Sequence, residues 1–438
     1  MALSVILRQA NLLLGASIFI LSLISGASRT SAQLTFNFIN QGTATPQMMT
    51  GFAQAGALWS AFLKDPITIN IRVGASGLPA GVLGHSDIFY DPFDYTNVRI
   101  ALVNDRLSAD DFSSTNSLQA APVFSMLINR TANNPNGVVS VVPYFDTGSG
   151  GPGQAGSENN NTVRFPTANA KALGLLQNNP NLLDGTVTFT TSPIFDFDRS
   201  NGITANRIDF VGIATHEIGH VLGFVSGVDI LIGNGAPPGL NDNQQKFVTP
   251  LDLFRFTSRS LGAGGGIGVI DWTGDDIDKY FSVDGGQTPL ANFSHGPTYE
   301  EGHWQDDFGI GIMDPTAMGG ELLNISAMDV RALDVIGYNL VAAQGLAGDY
   351  NSNGVIDAAD YVLWRKNVGT STALPNNLIG GTVGVAQYNQ WRANFGNSTP
   401  GAGSSTSAMA IAPVPEPSAL LQIVLVAAVL STCRGRGR

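Results

Sequence analysis

Ala214-Thr215-His216-Glu217-Ile218-Gly219-His220-Val221-Leu222-Gly223-Phe224 puts two imidazoles four residues apart, with a carboxylate beside the first. On a helix, side chains at i and i+4 share a face, so His216 and His220 can point at a single ion. Neutral imidazole is a good zinc ligand, and Glu217 stands where it can take a proton from a water on that ion. The flanking residues favour the helix. Val211, Ala214, Ile218 and Val221 or Leu222 recur at helical spacing and would bury the face opposite the histidines. Gly223 supplies the stop, because glycine enters the left-handed conformation without a Cβ penalty. The same pentapeptide on an ordinary core helix would hold no metal, so the reading depends on a third ligand elsewhere in the chain.

A hydrolytic zinc site takes three protein ligands and keeps one position open. The chain has 5 histidines, which leaves His85, His295 and His303 as candidates for the third. His85 lies far upstream in a Gly-rich stretch that reads as a turn. His303 stands in Gly302-His303-Trp304, shortly before Met313 in Gly309-Ile310-Gly311-Ile312-Met313-Asp314-Pro315. These two blocks together resemble the leishmanolysin-type metzincins. That family's first block reads His-Glu-x-x-His-x-Leu-Gly-Phe. Its third histidine, commonly followed by Trp, is carried by an insertion and precedes a Leu/Ile-Met-x-Pro turn. In other metzincins the third histidine comes six residues after the second, where this chain has Ser226.

The resemblance implies His216, His220 and His303 as zinc ligands, Glu217 as general base, and Met313 as the Met-turn residue flooring the site. It implies a zinc metalloendopeptidase acting on protein or peptide substrates. The ion would polarise the scissile carbonyl and lower the pKa of its water toward about 7, while Glu217 accepts the proton and returns it to the leaving amine. His295, in Ser294-His295-Gly296, is the rival third ligand, and Tyr299 is a candidate to stabilise the oxyanion. The chain departs from the family in lacking its disulfides, since Cys433 is the sole cysteine. No cysteine-switch latency is available either. The alternative reading is a catalytically silent surface adhesion or assembly protein on a protease fold; the intact Glu217 argues against it.

Composition fits a loop-rich exported protein: 52 glycines, 13% charged residues and a formal charge of −12 over 438 residues. The body of the chain has no basic block, so nucleic acid and anionic membrane surfaces are poor partners. Residues 1–32 read as a secretory signal peptide, with an apolar run from Leu12 to Ala27 and small residues at Thr30-Ser31-Ala32. At the other end, Val414-Pro415-Glu416-Pro417 precedes an apolar segment, Ala419 to Thr432, that is short for the about 20 residues of a bilayer span. The tail Arg434-Gly435-Arg436-Gly437-Arg438 follows. Residues 413–438 resemble the PEP-CTERM sorting signal. That resemblance implies an exosortase-type sorting enzyme, membrane contact only through this segment, and the envelope or surface of a Gram-negative-type bacterium.

Between these ends, residues 33–343 form the expected zinc protease domain. Phe52, Ala55, Trp59 and Phe62 predict an amphipathic helix, and Ile67 to Val73 a half-buried strand. Further strands are expected at Val98–Val103, Val138–Pro143 and Thr186–Thr190, with a loop over Thr147–Asn161. The pattern is α+β, and the resemblance makes it a metzincin-like domain of mixed sheet plus active-site helix. Residues 344–396 change character. Asp349, Asn351, Asn353, Asp357 and Asp360 occupy positions 1, 3, 5, 9 and 12 of a calcium loop, with Gly354 at its turn and the Val355 carbonyl completing the set. Aspartate at the last position and the continuation Tyr361-Val362-Leu363-Trp364-Arg365 resemble dockerin modules, which implies a small α-helical calcium module and a cohesin-like partner. A second copy repeats as Tyr388-x-x-Trp391-Arg392, but Gly384 and Gln387 replace the acids, so one Ca2+ is expected rather than two. Residues 397–412 read as a flexible linker.

Overall fold

The computed structural model describes residues 33–148, 158–191, 195–262, 266–296, 300–306, 308–341, 348–351, 353–372, 374–377 and 382–397. The expected signal and sorting segments and Tyr299 lie outside these residues, as do 149–157 of the expected loop. The fold is mixed α+β, with eleven α-helices among the described residues and both parallel and antiparallel strand pairs.

The chain begins with β1 (Thr35–Asn40), α1 (Pro46–Ser60), β2 (Thr68–Ser76) and β3 (Gly84–Ile88). The main sheet has the order β1, β2, strand Gly185–Thr190, β3. The first three are parallel, and β3 lies antiparallel at the edge. Strand β2 is more deeply buried than the expected alternation allows, because a central parallel strand is covered on both faces. Ile69, Ile71 and Val73 are fully buried, and so is Asn70. The Asn70 amide is satisfied by donating to the Leu182 carbonyl (2.9 Å), and its N–H bonds Asp184 (2.8 Å).

The expected first helix forms as α1. Its N-terminus is capped by the Thr45 hydroxyl, which accepts from Met48 N–H, and Pro46 occupies the first turn. The helix carrying the two histidines spans Phe210–Leu222 and packs on α1 and on the sheet. Gly51 makes the crossing close, since a Cβ there would overlap the Phe210 ring. Phe52 meets Phe189 and Phe210 edge-on at 5.3 and 5.4 Å. The buried Trp59 indole donates to the Thr215 carbonyl at 2.9 Å, fixing the histidine helix against α1.

Two expected strands do not form. Val98–Val103 lies in the helix Tyr95–Asp105, where Val98 and Leu102 are buried while Ile100 is exposed. That is a helical spacing, and packing overrides the β-propensity of these residues. Val138–Pro143 is a turn, with Gly137 and Val139 at positive φ, and the strand comes just after it at Tyr144–Asp146. The expected strand Thr186–Thr190 forms within Gly185–Thr190. His85, expected in a turn, sits exposed on β3.

After the helix Ala327–Val335 the chain returns to the end of α1. Lys64 N–H bonds the Asn339 carbonyl (2.9 Å) and Val341 N–H bonds the Phe62 carbonyl (2.7 Å). The C-terminal residues have their own core of Tyr350, Ile356, Trp364, Leu374, Val383 and Trp391. The sequence repeat appears there as the helices Ala358–Asn367 and Val385–Asn394. Each helix's tryptophan bonds the N-cap residue of the other. Trp364 Nε1 donates to the Gly384 carbonyl (2.8 Å) and Trp391 Nε1 to the Asp357 carbonyl (2.9 Å). Among the described residues, no helix is long and apolar enough to cross a membrane.

Candidate metal centre

The histidine helix starts at Asp209, whose carboxylate accepts Gly212 N–H (2.9 Å), and ends at Gly223, which has φ 126°. Val211, Ala214, Ile218, Val221 and Leu222 are all buried. Gly219 leaves room beneath the helix, because a Cβ there would overlap the Met313 sulfur, and Met313 is fully buried. His216 and His220 present their Nε2 atoms 3.1 Å apart on one face. His303 brings its Nε2 to 3.1 Å from that of His220 and 3.2 Å from that of His216. Among the described residues this is the one group of three or more His, Cys, Asp or Glu side chains close enough to hold an ion. His295 lies elsewhere, paired with Asp278 at 2.7 Å, and His85 lies beside Asp87.

The other ring nitrogens settle the tautomers. Nδ1 of His216 faces the Ile312 carbonyl (2.7 Å), that of His220 the Phe224 carbonyl (2.7 Å), and that of His303 the Glu300 carbonyl (3.3 Å). A carbonyl can only accept, so each Nδ1 carries a proton. Burial holds the rings neutral: it pushes His216 down to about 3, His220 down to about 4 and His303 well below the usual histidine value. Three unprotonated Nε2 lone pairs therefore converge with no proton among them, which is repulsive unless an electrophile is present. Nitrogens bound tetrahedrally to zinc at about 2.0–2.1 Å stand about 3.3 Å apart, so the observed triangle fits such an ion.

Glu217 lies one residue beyond His216 and is almost wholly buried. Its carboxyl is pushed up to about 7 by burial, opposed by the Ser86 hydroxyl and reinforced by Glu300. Ser86 Oγ is 2.5 Å from Glu217 Oε2 and 3.0 Å from the Glu217 carbonyl. Strand β3 approaches this closely because Gly84 has no side chain; a Cβ there would overlap the carboxyl group. Neither Gly84 nor Ser86 carries a signal in the sequence, since the pairing joins segments 131 residues apart.

Two further aspartates hold the third imidazole and the methionine turn. Asp229 accepts Glu301 N–H (2.7 Å) and Gly302 N–H (3.2 Å), and burial pushes its carboxyl up to about 7. Asp329, fully buried, accepts the Trp304 indole (2.8 Å) and the backbone N–H of Ile312 (2.8 Å), Met313 (3.3 Å) and Ser326 (2.7 Å). Ser326 and Asp329 form a capping box whose spacing is legible in sequence. Its reach to Met313 is not. Ser226, six residues after His220, bonds Asp252 (2.6 Å). The centre opens into a cleft of about 660 Å³ lined by Ser86, Tyr90, Phe247, Glu300 and Asp314, among others.

In the C-terminal loop, Asp349, Asn351, Asn353, Asp357 and Asp360 all direct side-chain oxygens at backbone N–H groups. Asp349 accepts Asn353 and Gly354 N–H, Asn351 accepts Asn353 N–H, Asn353 accepts Val355 N–H, and Asp360 accepts Asn351 and Asp357 N–H. Asp357 caps the following helix through Ala359 N–H (2.7 Å). Comparison with family models, curated proteins and solved structures gives no match to this chain.

Proposed function

We propose that residues 33–343 are a zinc-dependent endopeptidase with a leishmanolysin-like metzincin plan, exported and retained at a bacterial envelope or surface. The observation that carries this is the three-histidine triangle with a buried carboxylate on the same helix, open to a cleft. His216, His220 and His303 would hold the ion, with their Nδ1–H bonds to carbonyls keeping the Nε2 lone pairs turned inward. Bound zinc supplies Lewis acidity to a substrate carbonyl and to water. Glu217, with its carboxyl near neutrality, is matched to take up a proton and release it again, and the Ser86 hydroxyl orients Oε2. Met313 floors the site. The C-terminal repeat is a dockerin-like module proposed to take one Ca2+ and a cohesin-like partner, and residues 413–438 are proposed as the exosortase-type sorting signal.

The test is zinc content and casein hydrolysis by the full chain and by Glu217→Gln. The variant should keep one zinc per chain and lose about 10²–10⁴-fold in turnover, the usual share of a general base. Near-normal hydrolysis by the variant would sink the mechanism. Zinc binding by a wild-type chain that hydrolyses nothing would favour the silent adhesion or assembly protein.

A further inference from the structure

Across Phe247 from the metal cleft lies a second pocket of about 360 Å³, which shares Ile230 and Phe247 with the cleft. Its chemistry is the reverse of its neighbour's. The cleft is lined by the carboxyl groups of Glu217, Asp229, Glu300 and Asp314 and by no lysine or arginine among the described residues. The second pocket is lined by Arg164, Lys246, Gln244 and Gln245 and, among the described residues, by no carboxylate. Arg164 reaches it from the strand Thr162–Pro166, with its guanidinium 5.8 Å from the Phe247 ring centre and its Nε donating to the Lys246 carbonyl (3.2 Å). No carboxylate among the described residues lies within ion-pair distance of Arg164. Lys246 is paired with Glu158 at the rim.

The amides add donors without acceptors. Gln245 is 2% exposed, and its Oε1 already accepts from Asn234, while its Nε2 has no partner among the described residues. Gln244 Oε1 is taken by Asn241 N–H (3.0 Å), leaving its amide N–H groups to point elsewhere. A buried unpartnered donor is costly unless a ligand completes it. In a chain of net charge −12, a pocket offering a guanidinium and spare amide donors selects an anion of planar, bidentate geometry.

We propose that this pocket is a carboxylate subsite that takes an acidic side chain of the polypeptide lying in the metal cleft. The subsite rests on the endopeptidase reading for its occupant. A substrate residue bearing negative charge meets no lysine or arginine among the described residues lining the cleft, and meets Arg164 beyond Phe247. Acidity at one position removed from the scissile bond thus becomes the specificity determinant.

The experiment uses the zinc-loaded full chain carrying Glu217→Gln, so that bound peptides persist. Short amidated alanine-based peptides carry one glutamate stepped along their length, a matched series carries glutamine, and a third series has a free C-terminus and no glutamate. One glutamate position should bind about tenfold tighter than its glutamine match, as one charge-assisted pair in a half-buried site allows. Adding Arg164→Gln should abolish that difference and leave the glutamine series unchanged. Gln244→Glu, at an exposed position, should also abolish it by repulsion, which guards against misfolding of the first variant. The absence of any glutamate preference, or one that survives both variants, would overturn the subsite. Tight binding confined to the free C-termini would assign the pocket to a terminal carboxylate and overturn the side-chain reading. Cleavage by the unsubstituted protein is scored separately. A glutamate preference without any cleavage would sink the endopeptidase reading and leave the subsite standing.

Discussion

Replacing Asp329 by asparagine changes one atom and should disturb both the fold and the metal centre. The carboxylate accepts four donors, two on each oxygen: Trp304 Nε1 and Met313 N–H on Oδ1, Ile312 N–H and Ser326 N–H on Oδ2. Whichever way the asparagine amide turns, its NH₂ group faces two of these donors. Each buried donor left without an acceptor costs about 1–3 kcal/mol, so the variant should lose about 2–6 kcal/mol. Against a typical reserve of about 5–15 kcal/mol, the protein should still fold. Its melting temperature should fall by about 5–15 °C. A bound ion would be affected because the Ile312 carbonyl is the acceptor for His216 Nδ1–H. Loosening that acceptor should weaken zinc by about 10–100-fold, as outer-sphere changes do. Thermal unfolding by circular dichroism, with and without zinc, reads the first effect, and competition with a chromophoric chelator reads the second. An Asp329→Asn protein that melted and bound zinc like the parent would refute the claim that this carboxylate supports the centre.

His303→Ala should weaken zinc sharply, while His295→Ala, altering a ring paired with Asp278, should leave zinc content unchanged; the reverse result in metal analysis would return the ligand role to His295. Stability should also fall with rising pH through two other buried acids. Asp334 is pushed up to about 7 and Asp65 up to about 6, in each case chiefly by burial, from an ordinary value of 3.8. Folded values above the unfolded one favour the neutral acid, so this stabilisation is whole below about pH 4 and lost as pH rises through about 6 to 7. Asp334→Asn should flatten that loss in urea titrations stepped from about pH 5 to pH 8, and a slope like the parent's would count against it. Calcium should order residues 345–396 with one ion per chain in calorimetry; two equivalent sites would contradict the degenerate second loop, and no heat would reduce the first loop to a turn.

The histidine helix was the most legible part of the chain because everything that makes it is local. Apolar spacing and a terminal glycine lie within a single stretch of sequence, and the Asp209 cap that the structure adds stands in the same stretch. The third imidazole was legible only through the resemblance of the His303–Met313 arrangement to a known family, and the structure brings its Nε2 within 3.1–3.2 Å of the other two. Failures came where tertiary packing outweighed propensity. Val98 and Leu102 are β-favouring or neutral residues buried at a helical interval, and the valines at 138, 141 and 142 are exposed in a turn rather than strung along a strand. The contacts around Glu217 were illegible for a different reason. Gly84 and Ser86 act through an edge strand whose register against Gly185–Thr190 is fixed by the whole sheet.

The chain also answers how a site assembled from distant segments keeps its geometry without disulfides. Buried carboxylates that accept backbone N–H groups stand at the joints. Asp209 joins the start of the histidine helix to Leu323, Asp252 ties Gly227 to Thr249 and the Trp272 indole, Asp229 holds the residues before His303, and Asp329 holds Met313. Burial raises the carboxyl pKa of Asp209, Asp229 and Asp329 despite these bonds. Their ionised forms therefore gain less from the protein than they would from water. Such groups add little net stability, yet removing one strands several buried donors at once. Their role is to specify where the segments meet, and the apolar core around Phe52, Phe189 and Phe210 supplies the energy that holds them there.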